Sequence, residues 1–131
     1  MFLGRFTTYF TGKNRILLPK KFRRELGNED RFYLILGYDG EIWGFKIEEW
    51  EKEAEKRLKV PLEEELGRSQ RRNFFSNSEE CLIDIQGRFI LPQEFVSSAG
   101  LESEILLIGA GDHFEIWQGQ FEQRLAYEKI R

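Results

Sequence analysis

Hydrophobic and polar positions fall into short segments that change period along the chain. Aromatics and threonines mix over residues 5–10 and predict a strand, residues 11–14 a turn, and residues 15–18 its hairpin partner. Pro19 then suits the first position of a helix, because its fixed φ fits and its missing N–H would be unpaired there anyway. Leu18, Phe22 and Leu26 recur at helical spacing and predict the buried stripe, with Lys20, Lys21, Arg23 and Arg24 turned away from it and Gly27 as a left-handed stop. Residues 32–36 and 41–45 read as strands around Tyr38-Asp39-Gly40.

The same order returns. Arg15, Pro19, Phe22 and Gly27 have counterparts at Arg88, Pro92, Phe95 and Gly100, all 73 residues later, so the chain is an internal duplication. The second copy predicts strands at 79–83 and 88–91, a helix from Pro92 to Ala99 with Leu91, Phe95 and Ala99 inward, and two more strands. Glu-Ile-Trp closes each copy, at 41–43 and at 115–117. Amphipathic helices are expected at 47–58, with Trp50, Ala54 and Leu58 inward, and at 120–130, with Phe121, Leu125 and Tyr127. Pro61 starts a third helix through Leu62, Leu66 and Phe74. The resulting organisation is a first repeat at 4–47, connecting helices at 48–76, a second repeat at 77–119 and a C-terminal helix at 120–131. No low-complexity linker separates the copies, and four strands with one short helix cannot bury an apolar face alone. The two repeats are therefore expected to share one core.

With 131 residues, 40% hydrophobic and 15% aromatic, the chain can build a genuine core, which argues against disorder. No window approaches the roughly 18 consecutive apolar residues of a spanning helix, and no secretory leader pattern opens the chain. A cytoplasmic protein is the expectation. Cys81 is the one cysteine, and neither a disulfide nor a metal site is indicated. The net charge of −3 speaks against a general polyanion binder, but its distribution does not. Residues 1–27 carry seven basic side chains against one acidic, whereas residues 28–66 carry six against twelve. That imbalance permits binding by one face.

Each tight turn is followed by an arginine. Gly87 adopts positive φ freely and Asn14 at modest cost, so Arg15 and Arg88 are each pinned at the start of a strand. There a guanidinium projects five donors and a fixed charge, suited to phosphate or to the O6/N7 edge of guanine. Lys13 adds charge in the first copy, and Gln86 in the second offers an amide to an adenine edge or a phosphate. A turn arginine is ordinarily solvated, and pairing with a carboxylate, Asp84 for Arg88, is the structural alternative. Packing explains recurring leucines, prolines and glycines; it does not explain an exposed arginine kept in both copies. The run Lys20, Lys21, Arg23, Arg24 can position phosphates. Arg68, Arg71 and Arg72 read as solvated or at a subunit contact. An enzyme reading rests on His113 and Asp112 alone, without a nucleophile in a local motif.

Met1-Phe2-Leu3-Gly4, the turn-Arg-x-x-x-Pro-x-x-Phe segment in both halves, Cys81-x-x-Asp84-x-x-Gly87-Arg88 and Gly109-x-Gly111-Asp-x-Phe114-Glu-Ile-Trp117 resemble the MraZ family of AbrB-like transition regulators over nearly the whole chain. The resemblance implies an α+β fold, a swapped-hairpin β-barrel made by the two halves with peripheral helices. It implies assembly into a homo-oligomeric ring, and binding to short direct repeats in the promoter DNA of division and cell-wall gene clusters, in the cytoplasm at the nucleoid. It places Lys13, Arg15, Gln86 and Arg88 at DNA-facing turns. The candidate DNA-binding set is Lys13, Asn14, Arg15, Gln86, Gly87 and Arg88, with Lys20 and Arg5; no catalytic residue, metal, cofactor, membrane or small-molecule substrate is expected. Thr11 and Asn14 depart from the family's usual Asp and Gly, and Thr11 can make a weaker form of the hydrogen bond that fixes the turn. A protein-interaction, antitoxin-like module is the alternative.

Overall fold

A computed structural model describes residues 1–121. The expected helix at 120–130 lies outside the described residues except for Gln120 and Phe121. In chain order the elements are β1 (Arg5–Tyr9), β2 (Arg15–Leu17), α1 (Lys20–Leu26), β3 (Arg31–Leu36), β4 (Ile42–Phe45), α2 (Ile47–Leu58), α3 (Glu65–Ser76), β5 (Ser78–Leu82), β6 (Arg88–Ile90), α4 (Gln93–Ser98), β7 (Glu104–Gly109) and β8 (Phe114–Gln118).

The halves interleave. Six strands form an antiparallel sheet in the order β1-β7-β8-β4-β3-β5, while β2 and β6 pair in a separate two-stranded ribbon. β1 therefore pairs with β7 of the other half, and β5 with β3, in ladders that repeat each other: Arg5 faces Ile108 and Ser78 faces Ile35. Ile16 lies opposite Phe89, its own counterpart, so an approximate twofold axis runs through that pair. This corrects the expected local hairpin between residues 5–10 and 15–18. A turn does follow β1, but the edge of β2 is taken up by β6, and the bend itself holds just two backbone bonds among the described residues, Thr11 N–H to Arg15 O (2.8 Å) and Arg15 N–H to Gly12 O (3.4 Å). The hydrogen-bonded ladder does not close into a barrel among the described residues, since β1 and β5 remain the two sheet edges.

Alternation along the strands sorts side chains onto two sides. Phe32, Leu34, Ile42, Cys81, Ile105, Leu107, Phe114 and Ile116 face the ribbon, where they meet Ile16, Phe89 and the stripes of α1 and α4 in one core. Leu18, Phe22 and Leu26, and Leu91, Phe95 and Ala99, are all buried as their spacing predicts. Phe22 and Phe32 pack tilted against Phe114 with centroids 5.3 and 5.5 Å away, and Phe89 meets Phe32 edge-on at 5.1 Å. On the other side of the sheet, Ile35 and Phe45 pack with Ala54 and Phe74 of α2 and α3, and Leu106 and Trp117 pack with Phe121.

Several details differ from the sequence reading. Pro19 and Pro92 stand just before their helices: φ of −57° and −58° suits a helix, but ψ of 146° and 142° is extended, so each supplies only the first accepting carbonyl. Gly27 and Gly100 take positive φ as expected. Helix α3 begins at Glu65, four residues after Pro61, and Leu58, Leu62 and Leu66 are 50%, 55% and 60% exposed, not inward. The α2–α3 connection is instead held by polar bonds. Arg71 donates to the carbonyls of Leu58 (3.1 Å) and Val60 (3.0 Å), and Arg68 to that of Leu62 (2.9 Å). Those two arginines are structural ties. The Glu-Ile-Trp segments do not superimpose either: Trp43 lies opposite Glu115, and Trp117 opposite Leu106, because loops 37–41 and 110–113 differ in length.

A shared core predicts a single unfolding event. Phe89→Ala, which empties a site 1% exposed against Phe32, is expected to cost about 3–5 kcal/mol. Urea unfolding followed by tryptophan fluorescence and by far-UV circular dichroism should give one coincident, lowered midpoint. Separate transitions for the halves would refute the shared core.

Candidate nucleic-acid interface

Both arginine-bearing turns are built in two stages, first locally and then by the opposite repeat. In the second turn, Asp84 does most of the local work. Its Oδ1 accepts the backbone N–H of Gln86 and of Arg88, both at 2.9 Å, and its Oδ2 accepts Arg88 Nε at 3.0 Å. Gly87, at φ 86°, closes the bend through its N–H to the Asp84 carbonyl (2.9 Å). The backbone N–H of Arg88, ahead of its guanidinium, holds the Asp84 carboxyl below its usual range.

The first turn uses weaker parts in the same places. Thr11 Oγ1 donates to the Arg15 carbonyl (3.3 Å) and accepts from Arg15 Nε (3.2 Å), while Arg15 Nη2 donates to the Thr11 carbonyl (2.8 Å). Asn14 takes the positive φ, 58°, that Gly87 takes in the second turn.

The opposite repeat then fixes each turn in space. Leu18 N–H donates to Gly87 O (2.9 Å) and Leu91 N–H to Asn14 O (2.8 Å), a reciprocal pair across the ribbon. Asn14 Nδ2 also donates to Gln93 at the start of α4 (3.0 Å). Arg23, from α1, donates to the carbonyls of Ile85 and Gln86 (both 3.4 Å), and it lies where a side chain at position 87 would stand, 2.6 Å from an added Cβ. This role of Arg23 was hidden in the sequence, where it belongs to a run of four similar charges. Its only signal was the glycine it covers.

The ribbon decides where the arginines point. Cross-strand partners share a face, so Arg15 beside Ile90 and Leu17 beside Arg88 lie together on one side, and Ile16 and Phe89 enter the core on the other. The two arginines occupy diagonal corners of that outer face. Arg88 spends Nε on Asp84, so the carboxylate pairing anticipated as an alternative is present; it leaves both Nη groups without a hydrogen-bond partner among the described residues. Pairing with Asp84 thus orients the guanidinium without using it up. Lys13 and Gln86 are exposed on the turns themselves, and Lys20 is exposed at the start of α1. Arg5 is not brought to this group: it sits at the end of β1 farther from the Thr11 turn.

His113 belongs elsewhere. Its Nδ1 lies 2.8 Å from Asp112 and its Nε2 3.5 Å from Glu115, and its ring stacks on Phe45. Burial pulls its pKa down, and the hydrogen bonds to Glu115 and Asp112 outweigh burial to leave it above the usual value. Burial pushes the Cys81 thiol up to about 12, which leaves no thiolate at neutral pH.

Taken together these features define a class: a duplicated α+β module that presents two arginine-bearing β-turns on a ribbon shared between its halves. The chain belongs to the MraZ family. The family described as "MraZ protein, putative antitoxin-like" matches twice, over residues 1–73 and 74–130, which mirrors the duplication. Proteins named Transcriptional regulator MraZ are similar to it along most of their length. That of Clostridium acetobutylicum is 40% identical over 89% of this chain and 81% of the relative. That of Caldicellulosiruptor bescii is 39% identical over 89% and 80%. That of Alkaliphilus metalliredigens is 37% identical over 99% and 94%. Among the described residues no helix is long and apolar enough to cross a membrane.

Because the folded pKa of Asp84 is depressed, its contribution to stability is present above the ordinary aspartate pKa and is lost as pH falls through the lower folded value. Asp84→Asn should flatten the part of the acid limb below the usual carboxylate range, and urea midpoints between pH 7 and pH 2.5 will show it. An unchanged acid limb would mean that Asp84 does not hold the turn.

Proposed function

We propose that the chain is a transcriptional regulator that binds double-stranded promoter DNA through the outer face of the β2–β6 ribbon and its two turns. The observation that carries this reading is the delivery of Arg15 and Arg88 to one surface by a ladder whose other surface is core. The name shared by the relatives, that of a regulator and not of an enzyme, supports it. Arg15, Arg88 and Gln86 address base edges. Lys13 on its turn and Lys20 at the start of α1 position phosphates, Asn14 and Gly87 take part by shaping the turns that carry the contacts, and Arg5 contacts the backbone farther along the duplex.

The finer reading follows from the same surface. We read the ribbon over the two-repeat sheet as a swapped-hairpin, AbrB-like barrel whose ladder is open between β1 and β5, with repeats at 4–47 and 77–119, connecting helices at 48–76 and a C-terminal helix at 120–131. One protomer offers few contacts, so a homo-oligomeric ring on short direct repeats gains affinity through effective concentration. The promoter is that of the division and cell-wall gene cluster, and the protein works in the cytoplasm at the nucleoid. The antitoxin-like description of the family favours one second reading, a protein-interaction module. A protein partner that co-purifies while promoter DNA is not bound would select it.

Arg15→Ala and Arg88→Ala should each weaken binding to DNA from upstream of the chain's own gene by on the order of ten- to a hundred-fold. Lys13→Ala should lower the slope of log affinity against log salt by about one. Fluorescence anisotropy across salt concentrations measures both, with thermal melting as the check on folding. Arginine variants that fold and bind like the parent protein would refute the reading.

A further inference from the structure

The outer face of the ribbon is not uniformly polar. Between its two arginines it carries Leu17, 44% exposed, and Ile90, 61% exposed, on the same side by register. Packing does not require them there: the core on the other side of the ribbon is already filled by Ile16 and Phe89, 0% and 1% exposed. The four outer positions form a checkerboard with guanidinium groups on one diagonal and branched aliphatic groups on the other. The approximate twofold axis exchanges Arg15 with Arg88 and Leu17 with Ile90.

That arrangement has a chemical complement in the major groove. A ribbon of three residues per strand is about 10 Å long, with strands about 5 Å apart, and it fits a groove about 12 Å wide. Within that groove guanine offers paired acceptors and thymine offers a methyl group, the one apolar feature of the base edges. An aliphatic side chain held beside a guanidinium is matched to a thymine beside a guanine. We propose that Leu17 and Ile90 are specificity-determining residues that cover thymine methyl groups while Arg15 and Arg88 engage neighbouring bases. The inference rests on the ribbon reading above and deepens it, by stating what the ribbon reads besides guanine. Charge decides the occupant: exposed Lys13, Lys20, Lys21 and Arg24 lie on the turn and helix next to the ribbon, which suits a polyanion better than a second copy of a face with the same sign.

The test compares DNA from upstream of the chain's own gene made with thymidine and the same DNA made with deoxyuridine, which lacks only the C5 methyl. The parent protein should bind the deoxyuridine DNA more weakly by roughly four-fold for each methyl covered. Leu17→Ala and Ile90→Ala, both at exposed positions, should lose affinity for thymidine DNA by a similar factor and lose little more on deoxyuridine DNA. Equal binding of the two DNAs by the parent protein overturns the proposal, as do variants that remain fully sensitive to the methyl. A changed mass of Leu17→Ala or Ile90→Ala in sedimentation also overturns it, by making the pair a contact between copies. Arg15→Ala, measured beside them, separates the levels. Its loss on both DNAs with no methyl effect removes only this inference, and its retention of parental affinity removes the underlying DNA reading.

Discussion

The pairing of Ile16 with Phe89 is the constraint on which the rest of the molecule turns. Each of these residues is its partner's counterpart in the other repeat, each is buried, and each lies at the centre of a three-residue ladder. A strand so short cannot stand alone in water, and neither repeat has a local partner for it. Pairing across the repeats satisfies both edges together. The same contact brings Leu18 N–H to Gly87 O and Leu91 N–H to Asn14 O, so neither turn can take its place until the other repeat has folded against it. The position of both arginines is thus set by the core. A surface preorganised in this way loses less conformational freedom on binding than two independent loops would.

Duplication gives approximate symmetry, and the departures from it are informative. The second turn is fixed by a carboxylate that accepts two backbone N–H groups and a guanidinium, by a glycine and by the Arg23 clamp. The first relies on a threonine hydroxyl, on a non-glycine residue at positive φ and on the amide of Gln93. Among the described residues the Arg15 guanidinium meets only the neutral hydroxyl and carbonyl of Thr11, whereas that of Arg88 meets a carboxylate, the stronger partner, and asparagine in the left-handed region carries a strain that glycine lacks. The position in α4 that corresponds to Arg23 is Val96, which is buried and has no guanidinium to offer the Asn14 turn. The second turn is consequently the stiffer of the two, and the first is freer to adjust to what it meets.

Much of this was legible in the chain, for identifiable reasons. Helical stripes, strand segments and positive-φ glycines answer to local rules, so Leu18, Phe22, Leu26 and their counterparts were found in the sequence and are found buried. The exchange of strands was not locally legible, because a turn followed by an apolar run reads the same whether the next strand pairs back or across. Repetition showed that there were two units, and only the family resemblance suggested that they trade strands. Spacing places Leu58 inward on α2 and runs a helix from Pro61 through Leu62 and Leu66, yet polar bonds from Arg68 and Arg71 determine the α2–α3 connection and leave all three leucines outside. Within the interface, the turn arginines were visible through their recurrence. Arg23 was invisible because its distinguishing feature is the glycine surface it covers, sixty-four residues away.

The charge of the chain is consistent with a polyanion partner only when it is resolved onto faces. Part of the acidic excess lies on α2, where Glu48, Glu49, Glu51, Glu53 and Glu55 outnumber Lys52, Lys56 and Arg57, and α2 packs on the side of the sheet away from the ribbon. Several of these carboxylates are already engaged, Glu49 by Lys52 and Glu53 by Lys56 and Arg57. The basic excess lies in the first repeat, at and beside the ribbon. A duplex approaching from the α2 side meets repulsion at a distance set by the Debye length, roughly 8 Å at physiological salt, whereas one approaching the ribbon meets attraction. A net charge of −3 then favours one orientation of approach and weakens nonspecific adhesion in the others. On the proposed DNA reading, the short-range chemistry of the ribbon, and not bulk charge, is then what selects a sequence.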